Sequence, residues 1–229
     1  MAMALTVPAE QVAYIKQFLG LPDEQIKGFL DALAKAEPQF NVFDLARAVA
    51  DRLQLPGDLV AGIVRILRSL YLTCEAQNAP LETFVDQEVF VALKRAEVFS
   101  GDLDAQWTKL RNFLVAALSL ENIVGTAAKA GYILTQHERI FVGARILTDL
   151  RPIFHQNVSE KPGAAVIIHM LKIMQRDNHK NYQDQYFALD SNDIRSLKAL
   201  IDRALKKEES LRDAMKDSGV VILNPKESF

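Results

Sequence analysis

The sequence predicts an α+β fold: an N-terminal all-α helical bundle, then a small antiparallel three-stranded sheet and a long C-terminal helix. Two observations lead to this prediction. Up to about Gly131, apolar residues recur every three or four positions, which is the period of an amphipathic helix. After that point the apolar period shortens towards two, as in strands, before a final helical stretch. We therefore predict an all-α domain over residues 1–131 and a strand-containing domain over residues 132–229.

Start and stop signals divide the helical part. Asn41 is a good N-cap for the third helix. Breaks at Pro56-Gly57-Asp58 and Asn78-Ala79-Pro80 bound the fourth helix. A longer helix begins after Ser100-Gly101-Asp102, and its predicted end is Gly131. Because the linkers are short, these helices are expected to form a compact bundle of mostly antiparallel neighbours.

Three strands are predicted in the second domain. The first covers Ile146 to Arg151, and Pro152 marks its end, a bulge or an edge, because proline cannot donate to a ladder. The second covers Ala164 to Met174 and the third Tyr182 to Leu189. The stretch from Tyr132 to Arg145 fits either a helix end with a loop or an additional strand.

The chain is expected to close with a helix and a short tail. The helix is capped by Asp190 or Ser191 and ends at Gly219. The apolar tail after it, Val220 to Leu223, is expected to pack back or to join a sheet.

The second strand is apolar on both faces. Its even positions carry Val166, Ile168, Met170 and Met174, and its odd positions carry Ile167, Leu171 and Ile173. Such a strand is normally buried on both faces. The final helix covers one face, so the N-terminal part of the chain or a second molecule must cover the other. We predict a dimer interface formed by Leu150, Val166, Ile167, Ile168, Met170, Leu171, Ile173, Leu197 and Ile201.

Composition narrows the class of protein. The 229 residues are 49% hydrophobic, and the net charge of −2 lacks the basic surplus that binding to nucleic acid or to an anionic membrane needs. A single cysteine, Cys74, excludes an intrachain disulfide and fits a reducing compartment. Neither a signal peptide nor a membrane-spanning run is recognisable, so the expected location is the cytoplasm.

The sequence offers no familiar catalytic or phosphate-binding motif. Neither glycine-rich phosphate loop is present, and no H-E-x-x-H, C-x-x-C or G-x-S-x-G occurs. His137, His155, His169 and His179 are not spaced as metal ligands. Cys74, among apolar neighbours, is interpreted as a small core residue. We therefore predict no cofactor, no metal and no catalytic residue.

Two weaker possibilities involve polar groups. Asp149 and Arg151 share a face of the first strand and could form a polar site with His169, or simply a surface ion pair. Residues 41–71 have the rhythm of a helix-turn-helix, but the second helix offers only Arg65 and Arg68, late in its length, for contacts with DNA.

The order of elements resembles that of COMM-domain proteins, in which a helical N-terminal domain precedes three strands and a long helix. Leu150-Arg151 lies where that family has a Trp-Arg pair, and residues 162–173 are similar to its apolar strand. Tyr186-Phe187-Ala188-Leu189-Asp190 is similar to the segment that leads into its helix. The run from Arg145 to Phe154 also resembles one shared by bacterial proteins of unassigned function. The resemblance implies dimerisation and a scaffolding role.

Three functional hypotheses follow. The first is a non-enzymatic intracellular adaptor that forms a homodimer, or a heterodimer with a related chain, and presents a helical surface to a protein partner. The second is a helical-domain enzyme or a small-ligand-binding protein with a site between the two domains. The third is a regulator that binds nucleic acid through residues 41–71.

Overall fold

The computed structural model describes residues 5–177 and 181–223, and it confirms the predicted fold class. Helices come first, followed by a three-stranded antiparallel sheet whose strands are neighbours in chain order and by a long C-terminal helix. The chain divides into two compact units. We call residues 5–133 the helical unit and Leu134–Ile222 the sheet unit.

The helical unit begins with four helices whose bounds follow the predicted signals. The Asn41 side chain accepts hydrogen bonds from the backbone N–H groups of Phe43 and Asp44 at 2.9 and 3.0 Å, which confirms it as an N-cap. Further along, a π-helical turn at Val85–Val89 joins two short helices. The helices are α1 (Ala9–Leu19), α2 (Asp23–Ala34), α3 (Val42–Ala50), α4 (Gly57–Gln77), α5 (Leu81–Phe84), α6 (Phe90–Arg95), α7 (Leu103–Leu118) and α8 (Thr126–Thr135).

Three phenylalanines hold the centre of this unit together. Phe18 from α1 lies with its ring centroid 4.5 Å from that of Phe113 in α7 and 5.9 Å from that of Phe29 in α2. The rings of Phe29 and Phe113 are 5.6 Å apart, so all three contact one another. Such pairs add to the free energy that burial itself contributes.

The prediction that one helix continues to Gly131 and stops there is wrong. α7 ends at Leu118, a π-helical turn covers Glu121–Gly125, and α8 then runs through Gly131 to Thr135. Glycine costs about 1 kcal/mol inside a helix but does not by itself end one. No glycine or proline follows Leu118 directly, so the sequence gives no signal that the helix ends there.

β1 (Ile140–Ile153) begins earlier than the predicted start at Ile146. A bulge lies between Phe141 and Gly143, so Val142 has no partner in the second strand. The bulge interrupts the alternation of side chains, which hides the first part of the strand in the sequence. The segment between helix and sheet therefore contains the end of α8, a short loop and the beginning of β1.

β2 (Ala164–Arg176), β3 (Tyr182–Leu189) and α9 (Ser191–Met215) complete the sheet unit. Asp190 caps α9, and Asp193 returns a hydrogen bond to its backbone, which makes a capping box. α9 ends at Met215, before the predicted Gly219. The tail from Val220 to Leu223 joins no strand, so the expectation that it adds to a sheet is wrong. Val220, Val221 and Ile222 keep exposed side chains, whereas Leu223 is half-buried.

Two helical glycines provide a matched pair for testing the packing of the helical unit. A Cβ atom at Gly62 in α4 would lie 2.5 Å from the Tyr14 ring of α1, whereas one at Gly28 in α2 would meet the Leu53 side chain at an ordinary 3.8 Å. We expect Gly62→Ala to lower the free energy of unfolding by about 1–3 kcal/mol through overpacking. Gly28→Ala should raise it by about 0.5–1 kcal/mol, because alanine favours the helix. Urea denaturation measures both. A Gly62→Ala protein as stable as Gly28→Ala would mean that α1 and α4 do not approach this closely.

Candidate association surface

Cross-strand register assigns each side chain of the sheet to one of two faces. Ile146 pairs with Leu171, Thr148 with His169 and Leu150 with Ile167. Side chains of directly opposed residues lie on the same face, and a 2.9 Å contact between Thr148 Oγ1 and His169 Nδ1 agrees with this. We call this the helix-side face, because α9 lies over part of it. The other, which carries Arg145, Leu147, Asp149, Arg151 and the even positions of β2, is the open face.

The helix does not close on the sheet. A groove of about 650 Å³ separates them, lined by Phe141, Ala144, Arg145, Ile146, Leu171 and Ile173 from the strands and by Ile194, Leu197, Lys198 and Ile201 from α9. Leu171, Ile173, Ile194 and Leu197 are half-buried, whereas Ile146 and Ile201 remain 49% and 60% exposed. The odd face of β2 therefore faces the chain's own helix, but this helix covers only one end of that face.

The rest of the apolar stripe of α9 contacts little. Leu200, Leu205 and Leu211 are 62%, 56% and 64% exposed, and no residue of the helix is buried. Ion pairs at i,i+4, such as Lys198 with Asp202 at 2.7 Å, contribute only a few tenths of a kcal/mol each. In proteins most helical stability comes from packing an apolar face, and for α9 that packing is incomplete.

The sheet unit has almost no core of its own. Among its described side chains only Gln175 is buried, whereas the helical unit buries more than thirty apolar residues. On the helix-side face, Leu150 and Ile167 are 67% and 54% exposed. Exposed apolar area on this scale is typical of an interaction site.

Charge distinguishes the two faces. Among the described positions, the helix-side face of the three strands carries no Asp, Glu, Lys or Arg, and its polar groups are neutral ones such as Thr148 and Gln185, with His169 the one titratable side chain. The open face carries Arg145, Asp149 and Arg151 on β1. It also carries Lys172, whose Nζ lies 2.7 Å from an Asp184 carboxylate oxygen; this hydrogen bond raises the pKa of Lys172. Depletion of charge is a mark of an interface core, so the helix-side face is the better candidate.

The predicted interface residues are divided between the two faces of the sheet. Leu150, Ile167, Leu171 and Ile173 lie on the helix-side face with Leu197 and Ile201, and Val166, Ile168 and Met170 lie on the open face. Phe141, hidden behind the bulge, is not in the predicted set. The helical spacing of the final segment places Leu211 in its apolar stripe with Leu200 and Leu205 beside it, but the predicted set does not include these leucines.

The possible polar site is not assembled. Asp149 and Arg151 lie side by side on the open face, and His169 lies on the opposite face with Thr148. Within residues 5–177 and 181–223, no ion pair or hydrogen bond joins Asp149 to Arg151. The three residues therefore do not form one site.

The Cys74 thiol lies in surroundings that disfavour its reactive form. Cys74 is half-buried in α4, with its Sγ 3.5 Å from the Ala79 carbonyl oxygen. Burial raises the pKa of its thiol, and the carboxylates of Glu75 and Glu88 raise it further, which disfavours the reactive thiolate. No three His, Cys, Asp or Glu side chains gather into a metal site in the described parts of the chain, and His179 lies outside them.

In the helical unit, Arg111 and Arg65 both take part in ion pairs. Arg111 donates to both carboxylate oxygens of Asp86 at 2.6 and 2.8 Å and to Glu82 at 3.1 Å, and its hydrogen bond lowers the pKa of Asp86. Arg65, one of the two cations considered for DNA contacts, lies 3.3 Å from Glu10 and over the Tyr14 ring. These contacts tie helices together and leave Arg65 less available for phosphate.

No known protein-family model matches the chain, and no curated protein resembles it at a significant level. The similarity to COMM-domain proteins and the cytoplasmic location therefore stay predictions. In the described residues, no single helix is both long and apolar enough to cross a membrane; Leu103–Leu118 and Glu121–Ile133 reach that composition only when joined across a 65° bend.

Proposed function

We propose that the protein is an adaptor that pairs with a second copy through its sheet unit and offers its helical unit to other proteins. The incomplete packing of the sheet unit carries the proposal. A 25-residue helix without a buried residue lies over a charge-free sheet face whose far end, at Leu150 and Ile167, is uncovered. A second copy supplies both missing surfaces at once, because the stripe of one helix can cover the uncovered face of the other sheet.

The size of the uncovered surface fits a stable pair. A standard interface buries about 800 Å² on each partner. A stripe on a helix about 37 Å long, together with one face of a three-stranded sheet, can provide that area. The helical unit has a closed core that does not depend on this surface, and so it is the part available to present a partner-binding surface. The resemblance to COMM-domain proteins supports the same role.

Replacing Leu205 with aspartate tests the pairing. Leu205 is 56% exposed and belongs to the apolar stripe of α9, so its side chain can be changed with little effect on a single copy. In a dimer the new carboxylate is buried without a partner, which is strongly unfavourable. We expect wild-type protein to sediment as a dimer at micromolar concentration and Leu205→Asp to dissociate at least about thirtyfold more readily.

Ala199→Asp is the matched control. It adds the same charge to the same helix, at an exposed position on the side away from the stripe. We expect it to remain dimeric. A wild-type monomer at micromolar concentration, or equal behaviour of the two variants, would contradict the proposal.

A further inference from the structure

β1 is a long, uncovered edge strand; the protections that it carries are its charged side chains, Pro152 and the bulge. It spans Ile140–Ile153, and β2 is the only strand paired with it within residues 5–177 and 181–223. Every residue from Ala144 to Ile153 is exposed. Proteins normally shorten, cover or charge such an edge, because its free backbone groups invite pairing with another chain. The other edge, β3, is shorter and carries Gln183, Asp184 and Gln185.

We propose that β1 pairs with β1 of a second copy, antiparallel and centred on Leu147, so that two three-stranded sheets become one six-stranded sheet. This inference rests on the proposed pairing through the sheet unit and specifies its geometry. In this register Leu147 lies opposite Leu147 of the second copy, and each other residue lies opposite the one that is equally far from Leu147 in the other direction. The two strands then overlap over nearly their whole length.

Charge selects this register. Arg145 lies opposite Asp149 of the second copy, and by symmetry Asp149 lies opposite its Arg145, with all four side chains on the open face. Centring the pair on Thr148 instead sets Arg145 against Arg151, and centring it on Asp149 sets that carboxylate against itself. Centring on Leu150 pairs Asp149 with Arg151 but leaves half of the strand without a partner. Opposite charges in directly opposed positions are favourable, and like charges are unfavourable.

The irregular positions of β1 also coincide in this register. Val142, the bulge residue without a partner in β2, lies opposite Pro152 of the second copy. Proline lacks the N–H that a ladder needs, so this pairing places both defects at the two ends. The stretch from Gly143 to Arg151 between them is free of either defect.

The same register brings the exposed apolar side chains of the helix-side face close to residues of the second copy. Ala144, which lines the groove under α9, lies opposite Leu150 of the second copy, and both side chains are on the helix-side face. A two-fold axis normal to the sheet keeps both helices on one side. α9 runs on for about 20 Å beyond Ile201, the last residue that lines the groove. This length is sufficient to bring Leu205 to the exposed Leu150 and Ile167 of the second copy, provided that α9 crosses the sheet towards the β1 edge.

Charge reversal on the full-length protein tests the register. Arg145→Asp alone places two pairs of carboxylates opposite each other, and Asp149→Arg alone places two pairs of cations opposite each other. We expect each variant to dimerise about tenfold or more weakly than wild type. Mixing the two variants restores both attractive pairs, so the mixture should form a heterodimer of near wild-type affinity by sedimentation equilibrium. A mixture that associates no better than its components would overturn the register.

Disulfide trapping provides an independent test. In a Cys74→Ala background, Leu147→Cys places the two thiols directly opposite each other and should give a covalent dimer under mild oxidation. Ile153→Cys is the control, because its two copies lie about 40 Å apart in this register. A wild-type protein that is monomeric overturns both proposals. A wild-type dimer in which Leu147→Cys does not cross-link preserves the proposed pairing and overturns the edge-strand arrangement.

Discussion

Phe18→Ala is expected to lower the free energy of unfolding of the helical unit by about 3–5 kcal/mol. Phe18 is fully buried and contacts the rings of both Phe29 and Phe113, so it connects three helices. Removing its ring leaves a cavity among groups that belong to different elements and cannot all close on it. Thermal or urea unfolding, followed by far-UV circular dichroism, measures the loss.

Phe43→Ala is the control for this substitution. Phe43 is 66% exposed in the first turn of α3, and its loss should change stability by no more than about 0.5 kcal/mol. If the two variants unfold alike, the three-ring cluster does not carry the core of the unit, and the packing of α1 against α2 and α7 is not as described.

Local signals in the sequence were sufficient to predict several boundaries of the fold. Asn41 predicted the start of α3 because its side chain can satisfy two N–H groups of the first turn, and it does so. The bounds of β3, Tyr182 to Leu189, were also predicted correctly, because strand residues there are followed directly by the helix-capping Asp190. Each of these features depends on neighbours within a few positions along the chain.

Features that depend on distant residues could not be predicted. The bulge at Val142 follows from how β1 meets β2, and the sequence of β1 alone does not show it. The separation of His169 from Asp149 likewise depends on cross-strand register. The sequence predicted that strand two is apolar on both faces, but not that α9 covers only one end of one face. How closely a helix packs on a sheet depends on the shapes of both surfaces. A pattern of apolar positions along the sequence does not specify those shapes.

Ile167→Asp and Ile168→Asp are expected to differ strongly in their effects on association, although the two residues are neighbours. Ile167 is 54% exposed on the helix-side face beyond the groove, and Ile168 is half-buried on the open face. A carboxylate at position 167 enters the charge-free surface that a second copy covers, so the dimer should weaken about a hundredfold or more. A carboxylate at position 168 lies on the face that already carries charged groups, directly opposite Asp149. Repulsion between these two carboxylates costs little beside the burial of a charge at position 167, so Ile168→Asp should weaken the dimer far less than Ile167→Asp.

Mass by light scattering and thermal melting, measured together, distinguish the possible results. Monomeric Ile167→Asp beside dimeric Ile168→Asp identifies the helix-side face as the interface. Dimeric Ile167→Asp beside monomeric Ile168→Asp would assign the interface to the open face. That result would contradict the proposal that α9 of one copy covers the sheet of the other. If both variants remain dimers with unchanged melting, β2 is not buried in the assembly. Covering of either face of the sheet by a partner would then be excluded, and within the sheet unit only the β1 edge would remain to hold the two copies together.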